Sequence, residues 1–227
     1  MYYVIADHIH LCAIKNGIVV LDLLKDKYQC VRGEGAGLLN QFIDSNGAML
    51  NSEVSAKQEK IIQVLSSKGW VAQAKARQHR LFGESTPCVR ELSSIGAEQS
   101  HKKLDMARAM WAMLSAHIDL KYRSINLNVT RYKAQKARGI KVQLDLIQAQ
   151  HLVHTFNYTR PYFPRSKICL FDSYALLKYL AAYSFFPDWI FAIIEMPFAA
   201  HCWVQYDDEV LNDSLDIVRP YQPILVV

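Results

Sequence analysis

The residues that decide the fold are Ser166-Lys167-Ile168-Cys169-Leu170-Phe171-Asp172-Ser173-Tyr174-Ala175-Leu176-Leu177, read together with His201-Cys202-Trp203-Val204-Gln205-Tyr206 and Leu211-Asn212-Asp213. Pro161 and Pro164 forbid a helix just upstream of the first segment. Ser166 is suited to an N-cap. Leu170, Tyr174, Leu177 and Ala181 form an apolar stripe that predicts a helix from Lys167 to Tyr183. Cys169 then falls in the first helical turn, where unpaired N–H groups and the helix dipole favour a thiolate. Trp189 to Ile194 is a continuous apolar run, as a strand buried on both faces requires. Pro197 breaks it, and His201 to Tyr206 predicts a second strand.

A period of two puts His201, Trp203 and Gln205 on one face of that strand and Cys202, Val204 and Tyr206 on the other. Cys202 is therefore expected to point away from His201. Asp207-Asp208-Glu209 turns the chain back. A three-residue loop sets Asp213 on the His201 face, whereas a two-residue loop sets it on the opposite one. A helix-borne cysteine, a strand histidine and an acid on the returning segment suit thiol chemistry. The imidazole takes the thiol proton, and the acid orients the ring and stabilises the imidazolium. Asn212 offers a second way of orienting the ring, since an amide does this in some thiol proteases.

Working outward, the 227 residues are 51% hydrophobic, 11% aromatic and 21% charged. That length allows one large or two small domains. The composition excludes pervasive disorder, and no apolar run approaches the ~20 residues of a membrane span. Met1 to Asp7 has neither a basic start nor an apolar signal core. Five cysteines at irregular spacing argue against a disulfide framework and for a reducing cytoplasm. Cys12, Cys30, Cys88 and Cys202 are expected to be structural or incidental. The net charge of +5 is mild for a nucleic-acid binder. The clearest basic excess, Lys121, Arg123, Arg131, Lys133, Lys136, Arg138 and Lys141, reads as a solvated face or a docking patch. His8, His10, His151 and His154 lack the carboxylate or thiol company of a zinc site. Gly33-x-Gly35-x-Gly37 lacks the Gly-Lys-Ser/Thr ending of a phosphate loop.

The first third predicts three short strands, His8–Ile14, Ile18–Leu24 and Tyr28–Val31, with a turn at Lys15-Asn16-Gly17. Gly33, Gly35 and Gly37 are expected to end this sheet. Helices follow from Gly37 and from the N-cap Ser55, and Trp70-Val71 closes with an edge. This pattern fits a winged-helix-like module over residues 1–80. Residues 74–98 read as a connection. A helix over His101–Leu120 is expected to bury Leu104, Ala107, Met110, Trp111 and Leu114, and another helix is expected over Val142–Phe156. The whole is an α+β chain, divided into 1–80 and 81–227.

The set Cys169-Leu-Phe-Asp-Ser-Tyr-Ala-Leu, His201-Cys-Trp-Val-Gln and Leu211-Asn-Asp213 resembles the lasso-peptide B proteins. These are leader peptidases with a transglutaminase-like, papain-like cysteine-protease fold. The match covers roughly residues 140–227. The resemblance implies a Cys169–His201–Asp213 triad, with the backbone N–H of Cys169 as one oxyanion donor, and no cofactor. It also implies a PqqD-like front module that binds the leader as an added strand on Tyr28–Arg32, facing the helix Ser55–Ser67. Tyr28, Cys30, Val31 and Trp203 are the expected substrate contacts, with Trp203 also read as a core or wall residue that shields the His–Asp hydrogen bond. The implied partners are a precursor leader peptide and an ATP-dependent, asparagine-synthetase-like lasso cyclase, with ATP used by that cyclase. Neither a membrane nor nucleic acid is expected as a partner. Two rivals are a winged-helix nucleic-acid-binding regulator, which has no use for Cys169, and a thiol acyltransferase on the same fold.

Overall fold

The computed structural model describes residues 1–82, 85–92, 102–139 and 146–227. Lys141, Gly83, Gly96 and the first four residues of the helix expected from Val142 lie outside the described residues. The chain divides into two compact units. One contains residues 1–84 with 223–225, and the other contains 85–222 with 226–227.

In the first unit, β2 (Ile9–Ile14), β3 (Gly17–Asp22) and β4 (Lys27–Val31) form an antiparallel sheet in that order. Gly17 pairs with Ile14 at the start of β3. A Cβ on Gly17 would lie 2.3 Å from the Val31 carbonyl oxygen, so close approach, rather than a left-handed turn, demands glycine there. Gly33, at φ +64°, ends the sheet, and α1 (Glu34–Asp44) begins at once. Gly35 and Gly37 thus lie inside a helix that starts earlier than its apolar residues indicate. A second sheet, β5 (Ala48–Leu50), β1 (Tyr2–Ile5) and β6 (Val71–Ala74), exceeds the three strands and closing edge legible in the sequence. The helix α2 (Ala56–Ser67) is closed by a reciprocal capping box between Ser55 and Gln58. Ile9, Leu11, Ile18, Val20, Leu39, Phe42, Ile62 and Trp70 form the shared core.

A five-stranded sheet is built from β7 (Arg90–Glu91), β8 (Asp188–Ile194), β9 (Ala199–Tyr206) and β10 (Glu209–Val210) of the second unit together with β11 (Gln222–Val226), in the order β11-β8-β9-β10-β7. The helices of the second unit are α3 (Lys103–Tyr122), α4 (Ile125–Arg138), α5 (Leu146–Thr159), α6 (Cys169–Ala181) and a short α7 (Leu215–Val218). α6 is buried on most of its circumference and packs against both α3 and β9. No helix among the described residues is long and apolar enough to cross a membrane.

α3 overturns its expected face. Leu104, Trp111 and Leu114 are exposed, and the buried side carries Asp105, Ala109, Ala112, Met113, Ala116 and Asp119. Three small alanines let helices approach closely, and the two aspartates answer groups on or next to α6. Asp105 accepts from Tyr183 at 2.6 Å. Asp119 accepts from Lys178 at 2.6 Å, from Tyr174 at 3.2 Å and from Arg123. Hydrophobicity ranks alanine and aspartate low, so the periodicity selected the wrong side. The basic segment forms α4, capped by Ser124, and its Lys136 is committed to Asp188 and to the Val227 carbonyl.

Burial alone raises the Asp119 carboxyl pKa, but the Lys178 bond and the Lys178 and Arg123 charges outweigh it and hold it below the ordinary value. Its contribution to stability is therefore complete above the unfolded carboxylate value near 4 and is lost as pH falls through the lower folded value. Asp119→Ala is expected to cost about 1–3 kcal/mol, because it leaves the buried Tyr174 hydroxyl and the half-buried Lys178 ammonium without their acceptor. Urea unfolding at pH 7 measures that loss. The same titration at pH 3 should show a smaller difference between the two proteins.

Candidate active site

Cys169 is the first residue of α6, within the first turn as expected, although the helix begins two residues later than Lys167. The N-cap is Ile168, without a side-chain cap. Ser166 therefore does not cap the helix. Asp172 does the anchoring instead: it accepts the Ile168 N–H at 3.1 Å and is held by Arg160. The thiol thus stands at the helix terminus, where no preceding turn supplies carbonyl partners for the N–H groups.

β9 brings His201 to the thiol. Asp213 accepts from, or pairs with, His201 Nε2 at 2.6 Å, which leaves Nδ1 to exchange a proton with the thiol. The Asp213 bond, followed by contact with Cys169, pushes the imidazole up from 6.5 to about 9. The Cys169 thiol is drawn from 9.0 down to about 4, first by the Cys202 thiol and then by His201, against the opposing effect of burial. For Asp213, burial pushes upward, but the His201 bond and the Ser214 N–H prevail and keep it below the ordinary value. At neutral pH the resting state is a thiolate beside an imidazolium.

The loop is the shorter of the two considered, yet Asp213 still reaches His201. Glu209 pairs with Tyr206 and Val210 with Gln205, so the loop has two residues, Asp207 and Asp208. Continued as a strand, that register would aim Asp213 away from His201. Instead β10 stops at Val210. The Asn212 side chain takes over the ladder, accepting the Val204 N–H at 2.7 Å, and the chain bends Asp213 round to the imidazole. Asn212 also donates to Ser173 Oγ at 3.1 Å, and Ser173 donates to the Cys202 carbonyl at 3.0 Å. Asn212 therefore ties together the three segments bearing Cys169, His201 and Asp213, while Asp213 itself contacts the ring.

Trp203, expected to contact substrate, is buried and stacks at 6.1 Å from the His201 ring, with its Nε1 donating to Gln205. It backs the imidazole and offers substrate almost no surface. Cys202 is buried too, and its thiol meets Cys169, a contact that strand alternation does not report. The alternation itself holds. His201 turns toward Trp203 and Tyr221, Cys202 turns toward α6, and the Cys169 thiol at the helix end reaches both. A cavity of about 310 Å³ adjoins Asp213 and is lined by Glu91, Gln150, His154, Asn157 and Asn212 among others. In the first unit, Tyr28 and Cys30 share one side of β4, while Val31 packs on the core. Sheet order leaves β4 paired on one side only among the described residues.

Asn212→Ala is expected to leave the Val204 N–H without its partner and to lower stability by about 1–3 kcal/mol. Asn212→Asp keeps that acceptor and should lose less. Paired denaturant titrations read the difference.

A search of curated proteins and a search of solved structures each give no match. The family model of the transglutaminase-like superfamily matches residues 110–226, a little over half the chain. Members of this superfamily are typically cysteine-dependent enzymes, and a protease or acyltransferase kind of activity is consistent with the match. Because the matched span runs from within α3 to the last residue of β11 and contains Cys169, His201 and Asp213 together, the chain belongs to the transglutaminase-like superfamily.

Proposed function

We propose that this protein is a cysteine peptidase that removes the leader from a lasso-peptide precursor before cyclisation. The observation that carries the reading is the Cys169 thiol at the head of α6, beside an imidazole whose Nε2 is committed to Asp213. Cys169 attacks the carbonyl at the leader–core junction. The tetrahedral oxyanion accepts from the Cys169 N–H at the helix terminus. His201, held as imidazolium by Asp213, protonates the departing core amine. The neutral imidazole then takes a proton from water, which hydrolyses the leader thioester. The bond broken is one amide, and the process needs no redox partner.

The first unit supplies recognition in this reading. Its β4 edge suits an added peptide strand, because backbone hydrogen bonds give affinity with little demand on sequence. The resemblance to PqqD-like modules rests on the β2–β4 sheet and the capped α2, with Tyr28 and Cys30 on the exposed side of the edge. The freed core amine is the group an ATP-dependent cyclase joins to an acidic side chain, so the partners are a precursor and such a cyclase. Five free thiols suit a cytoplasmic setting. The rival reading as a nucleic-acid regulator gives the Cys169 cluster no task, and several of its basic residues serve internal pairs, such as Arg123 with Asp119 and Lys136 with Asp188.

Incubation with a leader-bearing precursor, with and without the cyclase, is expected to release a leader-sized fragment by mass spectrometry. Cys169→Ala should abolish it. Cleavage that survives Cys169→Ala would remove the nucleophile assignment, and acyl transfer to added amines without proteolysis would favour the acyltransferase. The pH profile is an independent check. Activity should rise as Cys169 ionises near 4 and fall as His201 loses its proton near 9. Iodoacetamide should alkylate Cys169 readily at pH 6, and in His201→Ala the reaction should require a higher pH.

A further inference from the structure

The cleavage chemistry leaves one nearby nucleophile unused. Cys202 follows His201 on β9, is 3% exposed and forms no covalent bond in the steps above. Two observations bring it to Cys169. Ser173, one turn along the same face of α6, donates to the Cys202 carbonyl at 3.0 Å, so this face of the helix lies directly over Cys202. The Cys202 S–H is also the leading hydrogen-bond donor to the Cys169 thiolate. The two thiols differ in every property that matters for oxidation. Cys169 is half-exposed and ionised, whereas Cys202 is buried and kept protonated, first by burial and then by the neighbouring thiolate.

We propose that Cys202 is the resolving thiol of Cys169, capturing the peroxide-oxidised nucleophile as a reversible Cys169–Cys202 disulfide. The inference rests on the reading of Cys169 as the reactive thiolate. The oxidant is hydrogen peroxide. The Cys169 sulfur attacks one peroxide oxygen, the O–O bond breaks, and hydroxide leaves with the electron pair. The His201 imidazolium supplies the proton that turns it into water. Sulfur has lost two electrons and is now a sulfenic acid. The Cys202 sulfur then attacks Cys169, the S–O bond breaks, and the departing hydroxide takes the Cys202 proton as a second water. While the disulfide stands, Cys169 cannot form a thioester, and it is shielded from the irreversible sulfinic state. A dithiol restores both thiols by exchange.

The test uses the full-length protein and needs no peptide substrate. The wild type is treated with hydrogen peroxide, free thiols are blocked with N-ethylmaleimide, and non-reducing tryptic peptides are mapped. The expected product joins the peptide 168–178 to the one containing Cys202, and dithiothreitol restores alkylation of Cys169. In Cys202→Ala and Cys202→Ser, checked for folding by circular dichroism, Cys169 should pass to the sulfinic acid and dithiothreitol should not restore it. Wild-type Cys169 reaching the sulfinic acid without the cross-link, or a cross-link to another cysteine, would overturn the proposal and leave the nucleophile assignment standing. A Cys169 inert to both peroxide and iodoacetamide at neutral pH would overturn both. The wild-type map decides the matter even where a variant fails to fold.

Discussion

Everything at the site depends on how the head of α6 is held against β9. Helix packing alone fixes such a terminus loosely, because apolar contacts are non-directional. Here the polar chain from Val204 N–H to Asn212 to Ser173 to the Cys202 carbonyl sets the register between helix and strand. Its members are buried or half-buried, so breaking any link leaves a desolvated donor or acceptor. That penalty makes the arrangement nearly all-or-none. The same chain bends the residues after β10, and Asp213 meets the imidazole as a consequence.

Electrostatics follow from that register. A half-buried thiol is ordinarily held protonated by desolvation. At Cys169, a thiol donor on one side and an imidazole on the other reverse the balance. Asp213 is two bonds removed from the sulfur, yet it raises the proton affinity of the ring that stabilises the thiolate. α3 contributes from the outer side of α6, where Asp119 satisfies Lys178 and Tyr174 and so allows a helix bearing polar groups to be buried. The ion pairs of α3 support the helix, and the helix carries Cys169.

The strand and helix types around Cys169 and His201 were legible because each rests on a local signal: two prolines, an apolar stripe and a run of β-branched and aromatic residues. Ser166 misled because a good capping side chain ahead of a helix does not fix the residue at which the helix begins. The face of α3 was illegible for a different reason, since its buried side is built from alanine and aspartate and its bulky residues face outward. The position of Asp213 could be argued from sequence only by assuming a continuous strand, and a side-chain amide replacing a backbone carbonyl breaks that assumption. Asn212 carried the available hint, because asparagine competes for backbone hydrogen bonds at bends. β1 and β5 are short segments whose pairing is long-range, which local periodicity does not report.

A thiol drawn well below its ordinary value, as at Cys169, ionises readily but gives an intrinsically weaker nucleophile than a more basic one. Its advantage lies in the second half of the reaction. The same acidity makes the sulfur a good leaving group, so the thioester is opened readily by whatever nucleophile reaches it. Within a transglutaminase-like fold, the choice between hydrolysis and transfer is therefore not made by the Cys169–His201–Asp213 geometry, which serves both. It is made by which acyl group is delivered and whether water or an amine follows. Under the proposed function, delivery is the task of the front unit. A sheet edge that binds an extended peptide selects substrates by backbone, which favours a peptide acyl donor over a small thioester or ester. In the proposed function, the Cys169–His201–Asp213 geometry serves formation of an acyl-enzyme, and the β4 edge of the front unit is what argues for a peptidase.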